Sequence, residues 1–248
     1  MVIAERGGAV RKAVQVVGEL LITAGIILVL FVVWEMWWTN VEADSRQGQV
    51  LKQFAQELPA QTTQPNPSTQ TKDFGAPKVG TAPQHGQTIG VIYIPRFGAN
   101  YTRPLIEGTS ADVLDTLGLG HYPSTSMPGA LGNFAFAGHR QTHGAVLDNI
   151  HTLVPGDRIY VQTKDGYYTY VYRNTEVVLP NRSDVLLPTP TEAGVAPTER
   201  VLTITSCNPR FGSQERIIAY SVMESWRPAS AGPPVEISKQ VAALKTAA

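Results

Sequence analysis

The chain has 248 residues, which is enough for one domain of moderate size and additional segments. Its 20 basic and 20 acidic residues leave no net charge, so the overall charge gives no case for nucleic-acid binding. The single cysteine excludes an intramolecular disulfide and a metal site made of several cysteines. The 18 prolines and 22 glycines, with few long amphipathic patterns, favour a β-rich domain with many turns.

The N-terminal region has the pattern of an uncleaved membrane anchor. Residues 1–12 are basic, and residues 13–38 are almost wholly apolar. At about 1.5 Å per residue a helix over 13–38 spans roughly 39 Å, which is enough to cross a bilayer with some tilt. Trp34, Trp37 and Trp38 stand where an aromatic belt would lie. No small-x-small cleavage site follows, and the basic flank places the N-terminus in the cytoplasm and the remaining chain outside the cell.

The next segment, residues 39–87, is predicted to connect the anchor to the folded domain. Residues 41–58 favour a short juxtamembrane helix with one apolar face, formed by Val50, Leu51, Phe54 and Leu58. From residue 59 to 87 the composition turns to Gln, Thr, Pro, Ser and Gly, which is typical of a flexible linker. We expect the folded domain at 88–228 and a polar tail at 229–248, where scattered apolar residues hint at a weak helix.

Within the domain, alternating and β-branched runs predict short strands joined by turns. The predicted strands lie at 90–95, 101–106, 133–137, 158–163, 167–172, 175–179, 201–205, from 215 onward and at 221–226. A short helix is expected at 111–117 and one helical turn at 145–150. The loop at 180–198 is rich in Pro and Thr, and a loop of that length is usually functional.

Two interpretations of Cys207 compete. A lone free cysteine is more often an inert, small hydrophobic residue in a core. However, Cys207 follows the strand at 201–205 and precedes an Asn-Pro turn, with Arg216 near the start of the next strand. A nucleophilic cysteine needs a partner that holds it as thiolate and a donor for the oxyanion that it creates. Arg216 is a suitable donor because its guanidinium stays charged.

The partner of the thiolate is expected among five histidines. His139 ends a buried strand within Ala-Gly-His-Arg, where small neighbours permit close approach of other groups. His143 and His151 are interpreted as loop histidines bonded to backbone carbonyls. His121 is expected to have a surface role.

Three segments resemble those of the sortases, the membrane-anchored cysteine transpeptidases of Gram-positive bacteria. The cysteine segment of sortases reads Thr-Leu-x-Thr-Cys, and here it is Thr203-Ile-Thr-Ser-Cys207, which departs at Ile204 and Ser206. The segment Asn-Phe-Ala-Phe-Ala-Gly-His-Arg that ends at Arg140 is similar to the histidine segment, and Arg216 stands where the family has its arginine. Gly-His-Tyr-Pro, at 120–123, and the Cys-Asn-Pro turn are most similar to class E sortases of actinobacteria.

The resemblance implies a mainly β fold, a closed eight-stranded barrel with short helices behind one transmembrane helix. It also implies that the Cys207 thiolate attacks the Thr–Gly amide of a C-terminal sorting signal, of Leu-Ala-x-Thr-Gly or Leu-Pro-x-Thr-Gly type. His139 would protonate the departing amine, and Arg216 would bind the substrate carbonyl or the oxyanion. The implied partners are surface proteins that carry such signals and a lipid-linked peptidoglycan precursor that supplies the acceptor amine.

Further site residues are predicted less directly. Tyr122, Thr205 and Ser206 are candidates for substrate binding, although packing at strand ends would explain them nearly as well. Arg210 lies in the turn after Cys207, and Arg216 is preferred over it because the turn position is less fixed. Leu186, Leu187 and Val195 of the 180–198 loop are candidates for lining a substrate groove.

The acidic residues are scattered without a clear set of metal ligands, so we predict no metal site, no obligatory calcium and no cofactor. Two other functions stay open at this point. A pilin lysine or water could replace the wall amine as acceptor, since the groove and not the motif selects it. Alternatively, the domain could be a membrane-tethered β-barrel that binds cell-wall components without catalysis.

Overall fold

The computed structural model describes residues 4–58 and 73–246, and the strands of the described part form one closed barrel. The strands are β1 (Thr88–Tyr93), β2 (Thr102–Glu107), β3 (Leu119–His121), β4 (Gly132–Ala137), β5 (Arg158–Gln162), β6 (Gly166–Val178), β7 (Arg200–Asn208) and β8 (Glu215–Pro228). Around the barrel they follow the order β1-β2-β3-β4-β7-β8-β6-β5. The predicted closed eight-stranded barrel is thereby confirmed.

Most neighbouring strands are antiparallel, but β2 with β3 and β4 with β7 are parallel. The parallel pair β4–β7 matters for function because both strands run toward the same rim of the barrel. Residues that follow β4 and residues that end β7 therefore meet there. This proximity follows from the topology of the barrel and is not visible in the sequence pattern of either strand alone.

The alternation of side chains along β7 separates a barrel interior from an outer face. Leu202 and Ile204 belong to the buried core, together with Phe134 and Phe136 of β4. Since successive side chains of a strand point to opposite faces, Cys207 lies on the outer face with the other odd-numbered residues of β7.

Several strands are longer than their sequence patterns predict. β7 continues past residue 205 because it pairs with β8 as far as Asn208, so Cys207 lies inside the strand and not after it. The runs predicted at 167–172 and 175–179 form the single strand β6, which bends at a register irregularity between Tyr172 and Asn174.

The N-terminal helix α1 (Ala4–Glu57) combines the predicted anchor and the predicted juxtamembrane helix in one continuous element. Between Val10 and Glu57 it contains an 18-residue window with a mean hydropathy of 2.7, which is long and apolar enough to cross a membrane. The C-terminal end of α1 packs against the barrel, because Phe54 is 1% exposed and lies in a cluster with residues of β1, β5 and β6. The apolar face predicted around Phe54 is therefore an interdomain contact.

The segment predicted as a polar tail contains the helix α3 (Ser238–Thr246). Its Val241 and Leu244 are buried in the same cluster as Phe54. The tail covers apolar surface of the barrel and of α1, which explains the apolar spacing that hinted at a helix.

The structure also differs from the prediction of a flexible linker over 59–87. Residues 59–72 lie outside the described residues, but 73–87 run along the barrel. The carbonyl oxygens of Gly75 and Lys78 accept hydrogen bonds from the Trp226 indole and the Tyr168 hydroxyl, at 2.9 and 2.5 Å. Aromatic donors of β6 and β8 thus fix a segment whose own composition is polar.

The two short helices predicted within the domain differ from the observed ones in their ranges. Helix α2 covers Ala111–Leu114 instead of 111–117. The turn expected at 145–150 is a 3-10 helix at Asp148–Thr152, because Ala145 has a φ of 48°, outside the right-handed helical region. The long loop before β7 contains one 3-10 turn, Ser183–Leu186.

Candidate active site

The predicted catalytic residues His139 and Cys207 follow two strands that run in parallel to one rim of the barrel. In the parallel ladder of β4 and β7, Ala137 pairs with Thr205, and the amide of Gly138 continues the ladder to the carbonyl of Thr205 at 3.3 Å. His139 follows Ala137 by two residues, as Cys207 follows Thr205. Neighbouring strands lie about 4.8 Å apart, and register partners point to the same face. The register of the ladder therefore leads His139 and Cys207 to the same rim.

Arg216 approaches Cys207 from the other side. Cys207 and Arg216 are direct partners in the antiparallel ladder of β7 and β8, so their side chains lie on the same face. Nη1 of the guanidinium donates hydrogen bonds to the carbonyls of Ser213 and Glu215, both at 2.9 Å. The side chain is thus oriented before a substrate arrives.

The backbone on each side of the thiol is held by neighbouring polar groups. Arg140 Nη1 donates to the carbonyl of Cys207 at 3.1 Å and to Oδ1 of Asn208 at 2.5 Å. The hydroxyl of Ser206 donates to the carbonyl of Gly138 at 2.8 Å, and Ser206 is 4% exposed. Ser206 therefore joins the two strands next to the imidazole and the thiol, which gives it a supporting position in the barrel wall.

Sequence reasoning missed Asp115, which follows α2 and reaches the same rim. Its Oδ1 lies 2.6 Å from Nε2 of His139. This contact occupies one of the two ring nitrogens of His139. A carboxylate on the far nitrogen fixes the orientation and tautomer of a catalytic histidine, as in serine protease triads. Nothing in the sequence around Asp115 marks it, because only the tertiary packing of α2 brings it to His139.

His143 is the second residue that the predictions underrated. It was expected to bond to a backbone carbonyl, but its ring lies 4.9 Å from the ring of His139, and its Nδ1 lies 3.9 Å from Oδ1 of Asp115. The corresponding expectation for His151 is confirmed, since its Nδ1 lies 3.1 Å from the carbonyl of Asp148. A signal was available in the spacing His-x-x-x-His of residues 139–143.

Tyr122 and Thr205 form a bridge on the same outer face. Their hydroxyl groups lie 2.9 Å apart, and Thr205 is two residues before Cys207 on β7. Thr205 and Cys207 therefore share one face of β7, and Tyr122 is bonded to Thr205 on that face. Ser206, the third of that group, has its side chain on the opposite face.

The expected surface role of His121 is wrong. Its side chain is almost fully buried, and its Nδ1 lies 2.8 Å from Oε2 of Glu107. The ring also stacks on Phe134 at a centroid distance of 5.5 Å. The alternation of β3 turns His121 into the barrel, where Glu107 satisfies its polar edge.

The loop before β7 covers the outer face beside Arg216. Val185 packs with Val178 and Ile218, and Leu186 is partly buried against them. Val178 is also the ladder partner of Arg216. An apolar wall therefore stands next to the guanidinium, as expected for Leu186, whereas Val195 is 48% exposed.

Arg210 makes a separate ion pair at the surface. Its guanidinium donates to both carboxylate oxygens of Asp148 at 2.6 and 2.7 Å, and its side chain is half exposed. Among the arginines of this turn, Arg216 is the one that the ladder places opposite Cys207. The choice of Arg216 over Arg210 is therefore supported by the register.

Comparison with models of known protein families gives the same result as the barrel and the chain order of His139, Cys207 and Arg216. A sortase domain model matches residues 92–224, more than half of the chain. The chain belongs to the sortase family. Sortases are cysteine transpeptidases, so the interpretation of Cys207 as an inert core residue loses its support.

Individual sortases are similar to this one over most of its length. Sortase SrtE1 of Streptomyces coelicolor is 34% identical over 238 residues, which cover 93% of this sortase and 63% of that protein. The structure of sortase E1 from the same organism, with a tripeptide in its active site, has a TM-score of 0.57 and 38% identity, over 64% of this chain and 99% of that one. SrtA sortase from Actinomyces oris has a TM-score of 0.64 and 36% identity, over 67% and 96% of the two chains. The resemblance to class E is confirmed.

Proposed function

We propose that this sortase is a membrane-anchored transpeptidase that cleaves a C-terminal sorting signal between Thr and Gly. It then joins the Thr carboxyl group to an amine of a peptidoglycan precursor. The observation that supports the proposal most is the register of two ladders, since β7–β8 pairs Cys207 with Arg216 and the parallel pair β4–β7 runs toward His139 and Cys207. Each of these residues has a role in acyl transfer to and from a thiol.

The first half of the reaction forms a thioester. The Cys207 thiolate adds to the Thr carbonyl carbon, and the negative charge that develops on its oxygen is bound by Arg216. His139, as imidazolium, gives a proton to the amide nitrogen as the C–N bond breaks. The Gly-bearing peptide leaves as an amine, and the Thr carbonyl stays on sulfur.

The second half reverses these roles. The acceptor amine loses a proton to His139 and attacks the thioester, and the thiolate leaves as the new amide forms. Asp115 accepts a hydrogen bond from Nε2 of His139 in both halves, so the ring keeps its orientation while its other nitrogen gains and loses a proton.

The similarity to class E sortases supports a signal of Leu-Ala-x-Thr-Gly type. In this molecule Tyr122 and Thr205 form the part of the outer face next to Cys207. We assign to this bridge the contact with the signal residues that precede Thr. Its two hydroxyl groups satisfy each other, so it offers mainly the apolar edge of a tyrosine ring, which suits a small apolar side chain.

The anchor supports a location at the outer surface of the cell membrane. The basic residues before the apolar segment favour a cytoplasmic N-terminus, and the catalytic barrel then faces the cell wall. The partners in this arrangement are surface proteins with Leu-Ala-x-Thr-Gly-like signals and a lipid-linked peptidoglycan precursor.

The test uses the full-length chain in detergent with a Leu-Ala-x-Thr-Gly peptide, with and without a glycine-based amine. Mass spectrometry should show a ligated product with the amine present, and Cys207→Ala should abolish it. Cleavage without ligation would contradict the amine acceptor. No reaction of the wild-type chain, together with a Cys207 that a mild alkylating agent does not modify, would contradict the proposed chemistry.

A further inference from the structure

Three metal-binding side chains converge at the rim of the barrel, and two of them take no direct part in the proposed acyl transfer. Asp115, His139 and His143 each offer one ligand atom, and these three atoms all lie within 4.8 Å of one another. The group combines two imidazoles with one carboxylate. All three side chains are about one third exposed, so an ion from solvent can reach them.

We propose that Asp115, His139 and His143 form a binding site for a divalent transition metal, with Zn²⁺ as the best fit, and that the bound ion inhibits the transferase. The inhibitory part rests on the proposed role of His139, whereas the binding part is independent of it.

The donor set selects the class of metal. Zn²⁺ is commonly held by three protein ligands of His and carboxylate type with an open position for water. Calcium and magnesium prefer sites made of oxygen ligands only, which two imidazoles do not provide. The proposed ion is therefore not calcium, and the site itself departs from the sequence-based expectation of no metal site.

The distances fit a small rearrangement. In a tetrahedral zinc site with bonds of about 2.0–2.1 Å, neighbouring ligand atoms lie about 3.3 Å apart. Oδ1 of Asp115 is 2.6 Å from Nε2 of His139 and 3.9 Å from Nδ1 of His143. The first distance has to open and the second to close by less than about 1 Å, and the two imidazole nitrogens, which lie within 4.8 Å of each other, also have to approach. Rotation of the three side chains can supply these movements.

The backbone holds His143 toward this group in an uncommon conformation. His143 and Ala145 have φ values of 53° and 48°, in the left-handed region that non-glycine residues seldom adopt. The intervening Gly144 is fixed by α1, since its amide donates to Oδ1 of Asn40 at 2.8 Å. Backbone strain that the surroundings maintain is frequent at functional sites.

Inhibition follows from which nitrogen the metal takes. A metal on Nε2 of His139 occupies the lone pair that a proton needs in the imidazolium form. The ring is then unable to act as the acid that releases the amine. Coordination also displaces the hydrogen bond between His139 and Asp115, so the metal and the catalytic arrangement exclude each other.

Zinc could instead bind the thiolate of Cys207 directly, so the decisive measurement is made without that thiol. Full-length Cys207→Ala in detergent is titrated with ZnCl₂ by isothermal calorimetry in metal-free buffer, with CaCl₂ as control. We expect one zinc ion per chain and no comparable calcium binding. Absence of zinc binding by Cys207→Ala would overturn the proposal, whether or not the wild-type enzyme is inhibited.

Two variants then test the ligands in the same background. His143→Asn keeps a residue that tolerates the left-handed conformation, and Asp115→Asn keeps the shape of the carboxylate. Each should weaken zinc binding by at least about 10-fold. His151→Ala, which removes a histidine of the neighbouring exposed turn, should leave the affinity unchanged. Unchanged affinity in both ligand variants would place the ion elsewhere and contradict the site.

Inhibition is measured with Cys207 present. The zinc concentration that halves the ligation rate, relative to the zinc-free rate of the same protein, should rise at least about 10-fold in His143→Asn. An unchanged half-inhibitory concentration would contradict the inhibitory role. If the chain has no transpeptidase activity at all, the proposed function fails, but the calorimetric result for the site still stands by itself.

Discussion

At the residue scale, the active site depends on the register of two ladders. The parallel ladder of β4 and β7 leads toward His139 and Cys207, and the ladder of β7 and β8 pairs Cys207 with Arg216. A shift of one residue in either ladder would turn a catalytic side chain into the barrel interior. Backbone hydrogen bonding between the strands therefore positions these residues. Asp115 then orients the imidazole of His139, and backbone carbonyls orient the guanidinium of Arg216.

Arg216→Lys should lower kcat/KM for peptide ligation by about 100- to 1,000-fold, because a lysine keeps the charge but loses the planar set of donors. The matched control is Arg210→Lys, which changes an arginine of the same turn that pairs with Asp148 instead. Steady-state kinetics of both variants provide the measurement. Equal losses in the two would mean that Arg216 acts only through the general charge of the turn.

At the scale of the elements, the loop before β7 is attached to the barrel by one buried side chain. Asn133 on β4 donates from Nδ2 to the carbonyls of Val185 and Leu187 at 3.0 and 3.1 Å. Its Oδ1 accepts a hydrogen bond from Thr203 at 2.7 Å. This amide adds hydrogen bonds to the apolar packing of Val185 against β6 and β8, and both hold the loop beside Arg216.

Asn133→Ala should lower the free energy of unfolding by about 1–3 kcal/mol, because it leaves buried polar partners unpaired. Hydrogen exchange of 183–187 should become faster, and the KM for the peptide should rise as the wall loosens. The control Asn149→Ala removes an exposed amide and is expected to stay within about 0.5 kcal/mol of wild type. Unaltered exchange in the loop would show that other contacts hold it.

A second link between elements gives a dependence on pH. Asp157, in the turn before β5, accepts two hydrogen bonds from Arg96, in the turn after β1, at 2.7 and 2.8 Å. The hydrogen bond from Arg96 lowers the pKa of Asp157 below its usual value, although partial burial opposes the effect. Since the folded pKa is the lower one, the stabilisation is complete above the unfolded pKa and is lost as pH falls through the folded value.

Asp157→Asn should therefore destabilise the protein at pH 7 by about 1 kcal/mol, as for a partly exposed ion pair. The difference from wild type should shrink as pH falls below about 4, the ordinary pKa of an aspartate. Thermal melting of both proteins between pH 7 and pH 3 provides the test. A difference that stays constant over this range would exclude the ion pair as its source.

At the scale of the whole molecule, the anchor helix is part of the folded catalytic unit. The end of α1 and the helix α3 share one apolar cluster with the barrel, through Phe54 and Val241. Nearer the membrane segment, Asp44 of α1 forms an ion pair with Arg103 at 2.7 Å. The same helix surface holds Gly144, next to His143. The position of the rim relative to the apolar segment of α1 is therefore set by direct contacts of that helix.

Phe54→Ala in the full-length chain should cost about 3 kcal/mol, because it empties a buried aromatic position. For a protein of this size that corresponds to a melting temperature lower by about 6 to 12 °C in detergent. Phe31→Ala, on the half-exposed surface of the apolar segment, is the matched control and should leave the melting temperature unchanged. Equal melting temperatures for Phe54→Ala and wild type would show that α1 does not stabilise the barrel.

Sequence patterns by themselves determined the β-rich domain, the apolar N-terminal helix and most strand positions, and they selected His139, Cys207 and Arg216 as the proposed catalytic residues. Alternation and motif order are local, so they are visible along the chain. Asp115 and His143 were not recognised, because a carboxylate 24 residues before His139 becomes its partner only when α2 packs beside β3. The burial of His121, the fixed course of 73–87 and the docking of Phe54 likewise depend on distant surfaces that supply partners. Local sequence propensity determines where the strands form. The parallel pairing of β4 with β7 and the packing of α1 determine which side chains come into contact.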